Sequence, residues 1–491
     1  MRIRAIFFLS MTLAVSNVHA ESLGFSLSDT ANRNFWQFWN RPDLSIQAID
    51  DVTLLPLSDV KISISDSLDS DLRSFSIEAY TDSEGFLDFF TFDRTSHIIT
   101  ASKEGYTTFT LAGVRSKHVT FFLKPIPKAD SVAIIQGGIQ GWDPHPGKKY
   151  VQAGVVFKSL NAVDVIDFQT TSFFSPLKDI INVMGSREIP SNLVLPNQDV
   201  TVLFATVNLN KPVFRLPLLT RRNTRLAVLE ASGKATDIMS ALQGGNGSSY
   251  FSLLNQLSLS RIGLSDTFQP STGLSKTINA DMKLVQNQYQ VHANRPPFAA
   301  DVVVVSMIDQ NGDRRFLYPT DIKTASSLQD PNSLHDVNLS GITQNQNATQ
   351  GIVTVALGDQ FKQVSGILSS QISVMTKPGD FLNVALIPDY QTLPQTVNLT
   401  APAHGIGMLS FYQTLPPELS YPVWTVAVLP TLGNIQFSTQ NLGTSVNIQK
   451  YSVTQLEFGA SFNETIIDGQ TLLKDLNRFG KAVSAQSHGE L

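Results

Sequence analysis

Residues 60–64 (Val-Lys-Ile-Ser-Ile) alternate apolar and polar positions with a period of two. A strand with one buried face gives this pattern. Residues 75–80 repeat it after the polar stretch 65–71. Thr81-Asp82-Ser83-Glu84-Gly85 then reads as a turn, because Gly85 tolerates a left-handed backbone. Residues 86–90, 97–101 and 119–123 continue as strands, with a tight turn at Glu104-Gly105-Tyr106 between the last two. Strands are also predicted over 132–135, 150–157 and 200–207, the last being strongly β-forming. Proline-bearing turns at 189–192 and 195–198 precede it.

Residues 231–242 place Ile238, Met239 and Leu242 at i, i+1 and i+4, residues 250–259 carry Phe251, Leu253, Leu254, Leu257 and Leu259, and short helices or helical turns are expected there, around the Gly244-Gly245-Asn246-Gly247 loop. The β pattern returns with the β-branched run 301–308, a turn at 309–313 and a partner strand at 314–318. Residues 324–350 are rich in Ser, Asn and Gln and read as a loop. Strands follow over 351–357, 364–374, 381–387, 409–414, 423–429, 435–438 and 453–462, with a terminal helix over 472–479. Short strands with turn signals at this spacing indicate sandwiches. The expected fold class is therefore all-β: several antiparallel β-sandwich domains in tandem with a small helical insertion. The expected units are 1–20 (signal peptide), 21–44 (aromatic segment), 45–125, 128–290 (helices at 231–259), 295–480 and a flexible tail, 481–491.

The stretch 45–125 resembles the carboxypeptidase regulatory-like, transthyretin-like β-sandwich. The residues that carry the likeness are Leu55-Pro56-Leu57-Ser58-Asp59-Val60-Lys61-Ile62, then Thr81-Asp82-Ser83-Glu84-Gly85-Phe86-Leu87-Asp88-Phe89, then Ala101-Ser102-Lys103-Glu104-Gly105-Tyr106 and the closing Val119-Thr120-Phe121-Phe122-Leu123. Ala48 departs from the glycine common early in that family's first strand. The resemblance implies an accessory folding or interaction module with no catalytic residues, and a fold alone does not assign activity.

Composition adds a compartment. Arg2 and Arg4 precede a short apolar run, residues 5–15, and Val18-His19-Ala20 offers small residues for cleavage after Ala20. This reads as an export signal, and no later segment approaches the ~18 apolar residues of a membrane helix. The 491 residues include no cysteine. Disulfides, thiolate metal sites and cysteine nucleophiles are thereby excluded. An exported chain that does without disulfides points to a bacterial envelope, in the periplasm, at the surface or released. A net charge of −5 argues against nucleic acid as a partner.

Motifs that carry chemistry are sparse. The eight histidines show no metal-ligand spacing, and no nucleophile elbow or phosphate loop occurs. Trp36 and Trp39 sit in an aromatic cluster, and Trp142 and His145 share the loop Trp142-Asp143-Pro144-His145-Pro146-Gly147. Such side chains can stack on and hydrogen-bond a sugar, although closely spaced aromatics more often fill a core. Asp309, Asn311 and Asp313 alternate like the start of a calcium loop. They lack the later bidentate Glu, so a solvated turn is the commoner meaning and no cofactor is expected. The reading that follows is a non-catalytic binding, adhesion or interaction scaffold with a glycan or an envelope or surface protein as partner. Two alternatives stay open: an assembly component of an envelope complex, and a hydrolase of extracellular or periplasmic polymers whose site the sequence does not reveal.

Overall fold

The computed structural model describes residues 25–27, 42–65, 76–90, 97–128, 131–159, 174–182, 185–220, 223–238, 257–293, 301–310, 314–323, 335–342, 349–357, 363–369, 375–376, 396–416, 419–430, 432, 434–438, 448–457 and 481–490. The fold is all-β, with several mostly antiparallel sheets. The first unit comprises β1 (Phe25–Leu27), β2 (Leu44–Asp50), β3 (Lys61–Ser65), β4 (Ser76–Tyr80), β5 (Phe86–Phe89), β6 (His97–Ser102), β7 (Thr108–Val114) and β8 (His118–Leu123). They form two layers, β1-β8-β2-β5 and β7-β6-β3-β4. Alternation sets the faces: Ile62 and Ile64 of β3 and Val119, Phe121 and Leu123 of β8 are all buried. The Phe109 and Phe121 rings meet with centroids 6.1 Å apart. Two turns are held by side chains. The Asp82 carboxylate accepts from the amides of Glu84 and Phe86, and the Tyr106 hydroxyl donates to Asp50 at 2.9 Å.

The middle unit comprises β9 (Val132–Gln140), β10 (Tyr150–Lys158), β11 (Lys178–Asn182), β12 (Ser186–Pro190), β13 (Leu193–Val202), β14 (Ala205–Lys211), β15 (Phe214–Leu219), β16 (Leu226–Lys234), β17 (Leu257–Leu264) and β18 (Ser275–Asn279). The order β14-β13-β10-β16-β17 forms one layer and β15-β9-β18 the facing one. Ile135, Ile139, Val156, Phe214, Val228 and Ile278 pack between them. Strand β10 is buried on both faces, because Val151 and Ala153 pack with Ile189, Leu195, Val202 and Ile238 on the other side. This double burial explains its continuous apolar run.

The last strands are β19 (Met282–Ala293), β20 (Asp301–Gln310), β21 (Arg314–Lys323), β22 (His335–Ile342), β23 (Thr349–Leu357), β24 (Gln363–Ser369), β25 (Met375–Thr376), β26 (Thr396–Thr400), β27 (Gly405–Leu415), β28 (Leu419–Val428), β29 (Asn434–Ser438), β30 (Lys450–Glu457) and β31 (Lys481–Glu490). Twelve strands join in one sheet, β21-β20-β23-β24-β31-β30-β27-β28-β7-β6-β3-β4. Its seam is the parallel pair β28–β7, where Trp424 donates to the Thr110 hydroxyl at 3.0 Å. Ile98 and Ala112 of the first unit share a core with Leu399, Leu409, Phe411, Val426 and Tyr451. The first and last units are thus fused through one sheet and one core, although some 300 residues separate Thr110 from Trp424.

Several local expectations change. The run 200–207 is two strands, β13 and β14, reversed by a two-residue turn at Leu203 and Phe204. An apolar turn carries no Gly, Asn or Pro signal, so periodicity reads straight through it. The expected turn at 195–198 is an irregularity within β13, with the register shifting between Leu195 and Gln198. The helical insertion at 231–259 shrinks: residues 231–234 end β16, one helical turn spans 235–238, residues 257–259 begin β17, and 239–256 lie outside the described residues. Cross-strand pairing over both flanks outweighs the weak helical spacing there. Residues 335–342, expected in a loop, form β22 against β19. The tail expected to be flexible supplies β31, which fills a gap between β24 and β30. The expected strand at 381–387, the helix at 472–479 and the leader at 1–20 lie outside the described residues.

Candidate functional site

The loop after β9 begins at Gly141, whose φ of +79° lies where glycine is at ease. Trp142 follows, half-buried, with its indole N–H donating to the Ile139 carbonyl at 3.1 Å. Its ring lies over Gly154 of β10, where a Cβ would come within 2.9 Å of the indole edge and 2.4 Å of Ile139. Gly154 is therefore the socket for the indole.

Asp143 fixes the next stretch. Its backbone N–H donates to the Glu230 carboxylate at 3.0 Å, its carbonyl accepts from the Gln152 amide at 2.8 Å, and its own carboxylate accepts from Arg261 Nε at 2.6 Å. Glu230 is buried in the centre of β16, 1% exposed. It accepts from Gln152 Nε2 at 2.7 Å and from the Ser260 hydroxyl. Burial raises its pKa above the ordinary carboxylate value; the hydrogen bonds from Gln152 and Asp143 oppose that rise, and the Asp143 charge adds to it.

His145 sits beyond this anchor, exposed. Gly147 N–H donates to Nδ1 at 3.2 Å, which leaves Nε2 to carry the proton and donate to Gln198 Oε1 at 2.9 Å. Gln198 also accepts from the Gln152 backbone N–H at 2.8 Å and donates to the Gln152 carbonyl at 2.6 Å. Backbone pairing of β13 with β10 covers Leu193 and Val194. Further along, where Pro196 has no N–H, the Gln198 amide substitutes for the ladder.

A second polar knot lies under the hairpin β11–β12. The Lys211 ammonium is 2.9 Å from the Asp179 carboxylate and donates to the carbonyls of Ser191, Leu193 and Val213 at 2.6–2.9 Å. Arg215 also pairs with Asp179. Burial pushes the Asp179 carboxyl up, but its hydrogen bonds and charge pairing with the two cations outweigh that and hold it below the ordinary value. Lys211 is also lowered, which for an amine favours the neutral form, chiefly by its own burial, with the Arg215 charge adding to it. Asp179, Lys211 and Arg215 line a groove of about 580 Å³ together with Asn208 and Asn210.

Of the residues singled out in the sequence, Trp142 and His145 share one loop, the indole inward and the imidazole outward. Trp36, Trp39, Asn311 and Asp313 lie outside the described residues, and Asp309 stands in β20 opposite Arg315 and Thr349. Among the described residues no three His, Asp or Glu side chains gather as they would around a metal ion. No helix among them is long and apolar enough to cross a membrane. Glu230, Gln152 and Arg261 carry no motif. The one available signal is a lone acid within the apolar run Leu226-Ala227-Val228-Leu229-Glu230-Ala231.

No family model and no curated protein matches the chain. Among solved structures it is similar to the Bacillus anthracis TIE protein, at 7% identity and a TM-score of 0.15 over 68% of this chain and 45% of that one. It is also similar to GBS52, the minor pilin of Streptococcus agalactiae, at 13% identity and a TM-score of 0.14 over 48% of this chain and 94% of that one. A protein from Bacteroides uniformis described as carbohydrate-binding aligns at 9% identity and a TM-score of 0.14 over 40% of this chain and 91% of that one. At these scores function rests on this chain's own residues, and the class they define is an all-β protein of packed sandwiches.

Proposed function

We propose that the chain is an exported, non-catalytic binding scaffold of a bacterial envelope or surface, whose middle sandwich holds the Trp142–His145 loop out towards a glycan or a surface-protein partner. The observation that carries this reading is the anchoring of that loop. Glu230, Gln152 and Arg261 hold Asp143, and Gly154 seats Trp142, so His145 is displayed on a preorganised backbone. Preorganisation lowers the ordering cost of binding. Export is supported by Arg2, Arg4 and the apolar run at 5–15. The two-layer packing of 45–125 supports an accessory module similar to the carboxypeptidase regulatory-like sandwich.

Among the described residues the clustered charges are occupied by one another, which supports binding over catalysis: Asp143 holds Arg261, and Asp179 holds both Lys211 and Arg215. One observation favours an assembly role as the second reading. Strand β4 ends the twelve-stranded sheet, with Tyr80 61% exposed on it, and such an edge can accept a partner strand. Binding of the purified protein to a glycan array, and to isolated envelope proteins, tests the first reading. His145→Ala should weaken a specific signal while costing no more than about 1 kcal/mol for its hydrogen bonds with Gln198 and Gly147. Turnover of a bound glycan would overturn it, as would binding indifferent to His145.

A further inference from the structure

The turn between β13 and β14 sets two large apolar side chains in water. Leu203 is 68% exposed and Phe204 is fully exposed. Leu203 holds φ at +56°, whereas Phe204 stays on the ordinary side. A left-handed first position alone is the sign pattern of a type II′ hairpin turn, in which glycine is the residue of least strain. Leucine there works against the fold locally, and its side chain gains no burial in return. The neck of the hairpin is firm: Thr201 and Thr206 pair their hydroxyls at 3.1 Å, and Val202 is buried. The tip is therefore projected on a rigid support.

Three exposed lysines stand at the same end of the sandwich. Thr201 N–H donates to the Lys148 carbonyl and Ala235 N–H to the Lys149 carbonyl. Lys234 lies in register opposite Tyr150, itself 37% exposed. The acids beside them are Asp199, 3.7 Å from Lys148, and Asp237 in the helical turn. Three lysines thus stand against two acids among these residues, an excess of one positive charge on a chain whose net charge is −5.

We propose that this end docks on an anionic lipid bilayer, with Leu203 and Phe204 entering the acyl boundary and Lys148, Lys149 and Lys234 lying over the headgroup phosphates. A bilayer takes a bare apolar tip without a matching pocket, and basic side chains around such a tip add attraction to anionic lipid. The proposal is independent of the glycan reading of the neighbouring loop, since each is measured with its own probe and its own variants.

The test is co-sedimentation of the purified protein with vesicles of phosphatidylcholine alone and of phosphatidylcholine mixed with phosphatidylglycerol. Partition should favour the anionic vesicles and weaken with added salt. Phe204→Ser should reduce it by roughly ten- to a hundredfold, the scale of burying one such side chain. Leu203→Gly is the control for folding, because it relieves the left-handed leucine. It should keep or raise the unfolding midpoint and still cut partition by about tenfold. Equal partition of both variants with the parent overturns the proposal. So does the absence of partition into either vesicle, which would leave a protein pocket as the occupant of the tip.

Discussion

Glu230→Ala probes the anchor of the candidate loop. The carboxylate is 1% exposed and takes hydrogen bonds from the Asp143 backbone N–H, one proton of the Gln152 amide and the Ser260 hydroxyl. Ser260 is partly exposed and can turn to water, so one buried donor, the Gln152 amide, and one part-buried donor, the Asp143 N–H, lose their acceptor. Each such loss costs about 1–3 kcal/mol, and removing a poorly solvated charge offsets part of it. The expected net loss is about 2–4 kcal/mol. Glu230→Gln separates charge from hydrogen bonding. The Asp143 N–H and the Gln152 amide both reach Oε1, at 3.0 and 2.7 Å, with the Asp143 N–H also 3.3 Å from Oε2, so a glutamine carbonyl at the Oε1 position keeps the two shorter bonds. That variant should lose about 1 kcal/mol or less. The assay is urea unfolding followed by Trp142 fluorescence, with Trp36, Trp39 and Trp424 replaced by Phe so that the signal reports the middle unit. The pH dependence adds a second readout. A folded-state value raised above the ordinary 4.5 means that the folded protein holds the proton more tightly. The Glu230 contribution to stability therefore falls as pH rises from about 4.5 through the raised value and is recovered on acidification. Glu230→Gln should remove that slope. A Glu230→Ala variant within about 1 kcal/mol of the parent, or a Gln variant as damaged as the Ala variant, would refute the anchoring argument.

Lys211→Met removes the cation shared by Asp179 and three carbonyls, and urea titration should show a loss of about 2–4 kcal/mol in the middle unit. The lowered Asp179 value gives the opposite pH sign to Glu230. Its contribution is present above the ordinary 3.8, is lost as pH falls through the depressed value, and should vanish from the acid limb of an Asp179→Asn titration. Gly154→Ala drives a methyl into Ile139 and the Trp142 ring; it should cost about 1–3 kcal/mol and shift indole emission to the red. Trp424→Phe breaks the hydrogen bond to Thr110 across the β28–β7 seam, and faster hydrogen exchange in β7 should accompany a loss of about 1 kcal/mol.

How much of this was legible varied with the physical signal. Alternation at 60–64 and 119–123 reported real strands because one face of each is buried, and the run at 150–157 reported β10 because both of its faces are. The turn at Leu203 and Phe204 was invisible because both are apolar residues with no turn signal, although Leu203 is held in a left-handed conformation. The fusion of the first and last units was invisible for another reason: pairing of Trp424 with Thr108 is set by tertiary contact and leaves no periodicity. At the candidate site, Trp142 and His145 were found as residue types, and the structure adds that the indole faces inward and the imidazole outward. Glu230, Gln152 and Arg261 come from three strands, and only the fold brings them to Asp143.

Binding of the purified protein to arrayed glycans and to isolated envelope proteins, measured beside its His145→Ala variant at matched stability, tests the scaffold reading most directly. The account predicts saturable binding without chemical change to the ligand, weakened by the substitution. Turnover of the ligand, binding that ignores His145, or no binding to either class would contradict it.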